Sequence, residues 1–108
     1  DHDYLVAGAS HLPHLIASVL TQTTQSVQTE SLRAIELAAT GFRDTTRIAA
    51  GSPEIWRDIF LQNAEFLIPM VKSTIRTLEQ LKILIKNKDS AKIEEFLAQA
   101  KKIRDTVK

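Results

Sequence analysis

The sequence predicts an all-α helical bundle built around one long central helix, and three observations carry that prediction. Apolar residues recur in steps of three and four along most of the 108 residues, the helical segments so marked are four and joined by short connections, and no segment reads as a strand or an internal repeat. The first helix covers Tyr4 to Gln25, where Leu5, Val6, Ala9, Leu12, Leu15, Ile16, Val19 and Leu20 mark one face. Pro13 falls inside that pattern; lacking an N–H, it should kink the helix or begin it afresh, and a kink would splay His11 and His14. The polar TQTTQSVQTES that follows reads as a frayed helix end and a loop. A short second helix from about Ser31 to Thr40 turns Leu32, Ile35, Leu37 and Ala38 inward, with Gly41 as its stop.

The third helix opens on Ser52 as N-cap, with Pro53 in the first turn and Glu54 complementing the positive end of the dipole. Its apolar stripe runs from Ile55 through Phe66, Met70 and Leu78 to Ile85, reaching about Lys86. If continuous from Pro53, the helix is roughly 50 Å long, against a radius of gyration of about 13 Å for a compact chain of this size. Such a rod carries apolar surface that one chain cannot cover, so an intertwined homodimer is expected; Pro69 is the residue able to break it in two. Residues Asn87 to Ser90 form a turn. A fourth helix from about Ser90 to Val107 sets Ile93, Phe96, Leu97, Ala100, Ile103 and Val107 against a solvated charged face.

Composition narrows the functional classes. Fourteen basic against thirteen acidic residues leave a net charge of +1, which favours neither nucleic acid nor an anionic membrane as partner, so any anion recognition must be local. Without cysteine there are no disulfides, thiolate metal sites or thiol nucleophiles, in keeping with a cytoplasmic location. No apolar run approaches the ~20 residues that span a bilayer. The chain lacks an initiator methionine and opens directly on a helical pattern, as expected of a piece of a longer protein.

The organising stretch is GFRDTTRIAAGSPEIWRDIF, residues 41 to 60, which interrupts the helical pattern with two glycines, a proline, three arginines and the only tryptophan. Arg43 and Arg47 are four apart and share a face if the segment is helical, with Asp44 three before Arg47. Two guanidinium forks suit a carboxylate or phosphate ligand, because each donates two parallel hydrogen bonds. The competing reading is structural: Asp44 pairs with Arg47 and the threonines cap a turn. All three histidines lie in the first fourteen residues, with His11 and His14 one turn apart and His2 nearly opposite on an ideal helix. They admit three readings: a metal site completed by Asp3 or Asp44, hydrogen-bond donors to an anionic or hydroxylated ligand, or surface and capping residues. A bare HxxH is a weak metal signal, and no metal is expected. The chain offers no glycine-rich phosphate loop, no nucleophile elbow and no inward carboxylate pair; Glu30, Glu36, Glu54 and Glu65 fall on polar faces.

Two segments taken together, HDYLVAGASHLPHLIASVL at 2 to 20 and GFRDTTRIAAGSPEIWRDIFLQN at 41 to 63, resemble the C-terminal helical domain of prephenate dehydrogenases. HD, SHLPH, GFRDTTRIA and WRDIF with its asparagine occur in that order and at about that spacing, and the helical pattern extends the resemblance beyond 63. The resemblance implies a fold like the C-terminal domain of 6-phosphogluconate dehydrogenase. It further implies an enzyme that oxidatively decarboxylates prephenate, a dianion, to 4-hydroxyphenylpyruvate with NAD on the route to tyrosine. The NAD-binding Rossmann domain and the catalytic histidine would precede residue 1, leaving this half to supply the dimer interface and one wall of the substrate cleft. By match to the family motifs, Arg47 would grip a substrate carboxylate, His14 and His11 would adjoin the substrate, and Asp44, Trp56, His2 and Arg43 would support or gate the pocket. Arogenate dehydrogenase shares this helical half. From other classes, a purely structural dimerisation module and a metal-binding bundle are the alternatives.

Overall fold

A computed structural model of the chain describes residues 2–26 and 40–107. In order, the elements are α1 (His2–Val6), a π-helical turn (Ala7–His11), α2 (Leu12–Ser26), α3 (Thr40–Thr46), a 3-10 turn (Arg47–Ala50), α4 (Pro53–Gln62), α5 (Ala64–Lys86) and α6 (Ser90–Arg104). No strand occurs among the described residues, as the all-α reading requires. The second predicted helix, up to residue 39, lies outside them.

Pro13 starts a helix afresh and does not break the first one apart. Immediately before it the backbone widens into the π-helical turn, where the Leu12 N–H bonds to the Ala7 carbonyl five residues back. The proline thus falls in the first turn of α2, where its missing donor costs little. The expected fraying at residues 21–26 does not occur: α2 stays helical through Ser26, with the Thr21 hydroxyl donating to the Ala17 carbonyl at 2.8 Å and Ser26 to Thr23 at 2.7 Å. Gly41 is likewise no stop. It lies within α3, has no positive φ, and its carbonyl accepts from the Thr45 hydroxyl at 2.7 Å, while Phe42 accepts from Thr46 at the same distance.

Ser52 caps α4 as the sequence predicts, its Oγ accepting from the Ile55 N–H at 3.3 Å and donating to Glu54 Oε2 at 3.0 Å, with Pro53 in the first turn. The continuous rod to Lys86 is corrected. The break comes at Asn63, not at Pro69, which α5 carries inside it. Asn63 leaves helical geometry at φ −115°, ψ 21°, and both its backbone N–H (3.1 Å) and its side-chain Nδ2 (2.8 Å) donate to the Ile59 carbonyl. Its own carbonyl then accepts from the Phe66 and Leu67 N–H groups, which starts α5. An asparagine that bonds its own backbone in this way competes with helix continuation. At 23 residues α5 is roughly 35 Å long, still the longest element among the described residues.

The chain divides into two compact units, Asp1–Val71 and Lys72–Lys108. In the first, Ala7, Ala17, Leu67 and His14 are buried, α2 packs on α3 and on the 3-10 turn, and Tyr4 meets Phe66 edge-on at 6.1 Å. In the second, Leu81, Leu84, Ile93 and Phe96 are half-buried, whereas Leu78 (60%), Leu97 (57%) and Ile103 (66%) stay largely exposed. The apolar stripes predicted for the third and fourth helices are present, but this chain covers only part of them. The last predicted helix ends at Arg104 and not at Val107: the Thr106 and Val107 N–H groups bond to the carbonyls of Ile103 and Arg104, one residue short of helical spacing, and the Thr106 hydroxyl also donates to Ile103 O.

The turn after α5 closes with the Asp89 N–H on Leu84 O at 3.0 Å and the Lys88 N–H on Ile85 O at 3.1 Å, which puts Lys88 at φ 54°. This is the left-handed helix-ending position that glycine normally fills. Lys88→Gly is therefore expected to raise stability by about 1 kcal/mol in chemical denaturation; a loss of stability would contradict the assigned turn.

Candidate functional site

Four aromatic rings from the first unit form one cluster. His14, buried on α2, stacks on Trp56 of α4 with ring centroids 3.8 Å apart and planes 12° from parallel. Phe60, one turn further along α4, stands edge-on to His14 at 6.2 Å and to Trp56 at 6.1 Å. His11, the last residue of the π-helical turn, meets Trp56 edge-on at 6.1 Å with an interplanar angle of 79°. The two histidines thus converge on one indole, and Pro13 does not splay them. Edge-to-face and offset-stacked pairs are the arrangements that aromatic quadrupoles favour, at about 0.5–1.5 kcal/mol each beyond burial.

The stack forms one wall of a cavity of about 420 Å³. From α2 come His14, Ser18, Thr21 and Gln22; from the connection, Ala49 and Gly51; from α4, Pro53, Trp56, Arg57 and Phe60. The Ser18 hydroxyl donates to the His14 carbonyl at 3.1 Å, so it and Thr21 present oxygens whose protons are committed to the helix. Arg57 Nε donates to Asp58 Oδ1 at 3.0 Å, an exposed pair that holds the guanidinium only weakly. The result is an aromatic slot with hydroxyls and an amide on one side and a cation at the mouth. That chemistry fits a flat ring carrying an anionic or hydroxylated substituent.

Burial pushes the His14 imidazole below its ordinary value of 6.5, because desolvation disfavours the charged form. Near pH 7 it is therefore neutral, with one N–H to donate and one nitrogen to accept. His11 Nδ1 is buried and has no hydrogen-bond partner among the described residues, an arrangement rare enough in folded proteins to mark a place where a further polar group belongs.

Of the residues singled out in the sequence, the fold brings His11, His14 and Trp56 together. Trp56 is cavity wall and only half-buried, not core. Arg43 and Asp44 lie on α3, Arg47 opens the 3-10 turn, and all three side chains are exposed. Arg47 does not line this cavity, although Ala49 and Gly51 just after it do. Asp44 forms no ion pair with Arg47, so neither the structural pairing nor an aspartate bracing that arginine is seen among the described residues. His2 is exposed at the start of α1. Among the described residues no group of three or more His, Asp or Glu side chains could hold a metal ion, and no helix is long and apolar enough to cross a membrane.

Sequence reasoning missed Ser18, Thr21, Gln22, Gly51, Arg57 and Phe60. Phe60 was readable, since it lies four residues after Trp56 and shares its face. Thr21 and Gln22 are not, because TQTTQSVQTES reads as a frayed end, and nothing local marks Ser18 inside the first helix.

A histidine with a lowered folded pKa binds fewer protons than the unfolded chain, so its contribution is fully present above about 6.5 and is lost as the pH falls from there through the folded value. Stability should accordingly drop on acidification below pH 6.5, and His14→Gln should remove that part of the drop in denaturation series at pH 5 and pH 7.5. An unchanged pH dependence would show that His14 is not buried neutral.

Comparison with known proteins places the chain. The family model described as the prephenate dehydrogenase dimerization domain matches residues 1–107. Cyclohexadienyl dehydrogenase of Zymomonas mobilis is 36% identical over 108 residues, which is 99% of this chain and 37% of that protein. Among solved structures, prephenate dehydrogenase of Aquifex aeolicus, in complex with hydroxyphenyl propionate and NAD+, shares 34% identity with a TM-score of 0.88, over 99% of this chain and 37% of that one. Arogenate dehydrogenase of Synechocystis shares 32% with a TM-score of 0.92, over 98% and 39%. The chain thus spans a little over a third of the length of these proteins, and it belongs to the prephenate dehydrogenase dimerization-domain family.

Proposed function

We propose that the chain is the C-terminal helical half of a cytoplasmic, NAD-dependent prephenate dehydrogenase, supplying the dimer interface and one wall of the substrate cleft. The observation that carries this reading is the cavity walled by the His14–Trp56 stack, in a chain that the dimerization-domain model matches from 1 to 107. The hydroxyphenyl propionate bound by the Aquifex protein is a ring with a carboxylate and a hydroxyl, the type of ligand that such a slot fits. NAD, when bound, accepts the hydride. No glycine-rich phosphate loop occurs in this sequence, so the dinucleotide falls to a Rossmann domain upstream.

What this half contributes is orientation. Neutral His14 donates or accepts a hydrogen bond at a ring substituent without carrying charge, and Trp56 and Phe60 hold the ring's plane. Arg47, exposed at the head of the turn that carries Ala49 and Gly51 to the cavity, fixes a carboxylate of the dianion by a bidentate contact. The exposed side chains of Leu78, Leu97 and Ile103 supply the surface on which a second copy completes the fold. A second reading, arogenate in place of prephenate, is favoured by the likeness to the Synechocystis enzyme.

The test is kinetic, in the full-length protein. Arg47→Ala should raise the KM for prephenate about 10- to 100-fold, the loss of a charged hydrogen bond of about 1.5–3 kcal/mol, with a smaller change in kcat. A purely structural dimerisation module predicts an unchanged KM. Turnover of prephenate by residues 1 to 108 alone would contradict the division of labour.

A further inference from the structure

Gly51 follows the 3-10 turn in ordinary extended geometry, φ −68° and ψ 172°, which any residue adopts. Its backbone therefore does not call for glycine. Its surroundings do: a Cβ built there would lie 2.9 Å from Trp56 Nε1, 3.1 Å from Trp56 Cδ1 and 3.1 Å from His14 Cε1. A Cβ essentially never lies as close as 2.9 Å to a ring atom, so a ring must shift, and a shift of either ring disturbs the cluster. Trp56 has His14 flat against it and His11 and Phe60 at its edges, and His14 is itself buried.

We propose that Gly51 is a positioning residue: by lacking a side chain it leaves the space in which the His14 and Trp56 rings stack, and so sets the wall of the cavity. Gly51 bears on both rings at once, and its own backbone forms part of the cavity lining. Any side chain there displaces the pyrrole edge of the indole, separates it from the imidazole and pushes into the slot. The kinetic consequence rests on the function proposed above, whereas the geometric one does not.

The test uses the full-length protein with Gly51→Ala, Trp56→Phe and the double variant. The indole signal is read as the near-ultraviolet circular dichroism of a protein minus that of its Trp56→Phe counterpart. Gly51→Ala should abolish most of this difference signal at unchanged helical content and raise the KM for prephenate at least fivefold, more than it lowers kcat. In thermal unfolding it should cost clearly less in the Trp56→Phe background than in the wild-type one, because phenylalanine lacks the pyrrole edge that the Cβ meets. Folding of the double variant where Gly51→Ala alone does not fold would support the proposal equally. It is overturned by an unchanged indole signal, by additive stability effects, or by failure to fold in both backgrounds. If wild-type protein turns over neither prephenate nor arogenate while the indole signal and the coupling behave as stated, the proposed function fails and the role of Gly51 stands.

Discussion

The interaction on which the rest of the first unit depends is the stack of a buried imidazole on an indole. His14 comes from α2 and Trp56 from α4, elements separated in sequence by the whole 27–52 region, and the 3.8 Å contact between their rings fixes how those two helices meet. A charged imidazole would be costly in that place, so the contact also fixes protonation: burial keeps His14 neutral near pH 7. One packing decision thereby creates both a rigid flat wall and a side chain able to donate and accept hydrogen bonds without adding charge. Under the proposed function the charge of the ligand would then fall to an arginine, and Arg57 at the mouth and Arg47 on the adjoining turn are the cations nearest in sequence to the wall.

The helix punctuation serves that wall. The π-helical turn ahead of Pro13 lets one segment carry both His11 and His14 to the same indole, and wide turns of this kind recur at functional sites because they re-aim side chains without ending a helix. On the other side, Ser52 caps α4 so that Trp56 falls on its second turn, while Asn63 ends α4 soon after Phe60. The aromatic segment is thus a short separate helix, and α5 starts again in its own register.

Much of this was legible in the sequence where local chemistry decides the outcome. Ser52, Pro53 and Glu54 announce a helix start, and the apolar spacing of α5 and α6 picks out Leu67, Leu81, Ile93 and Phe96 on the covered side, while Ile75, Leu78, Ile85, Leu97 and Ile103 of the same stripes are exposed. The errors share a cause: a residue was read by its usual role where its hydrogen bonds chose another. Gly41 reads as a stop, but its carbonyl accepts from the Thr45 hydroxyl inside α3. Asn63 lies inside the rod that the apolar pattern predicts, yet its amide bonds to the Ile59 carbonyl and ends the helix where Pro69 does not. Residues of the site defined by long-range proximity were beyond reach. Nothing local to Gly51 reveals that the His14 ring, from the distant α2, joins that of nearby Trp56 in the place of its side chain.

The second unit poses the complementary constraint. Its helices bury Leu81, Leu84, Ile93 and Phe96 only in part, and an open groove of about 690 Å³ bordered by Ile85, Ile93 and Leu97 remains. One chain supplies the apolar faces, and a second copy is what the proposed dimer supplies to cover them. The central claim, that the stacked rings of α2 and α4 are a ligand wall, is tested most directly by a crystal structure of the full-length protein with hydroxyphenyl propionate. The account predicts the ligand's ring beside His14 and Trp56 with its carboxylate on an arginine of residues 43–57. A ligand bound away from both rings, or a cavity filled by side chains of the second copy, would contradict it.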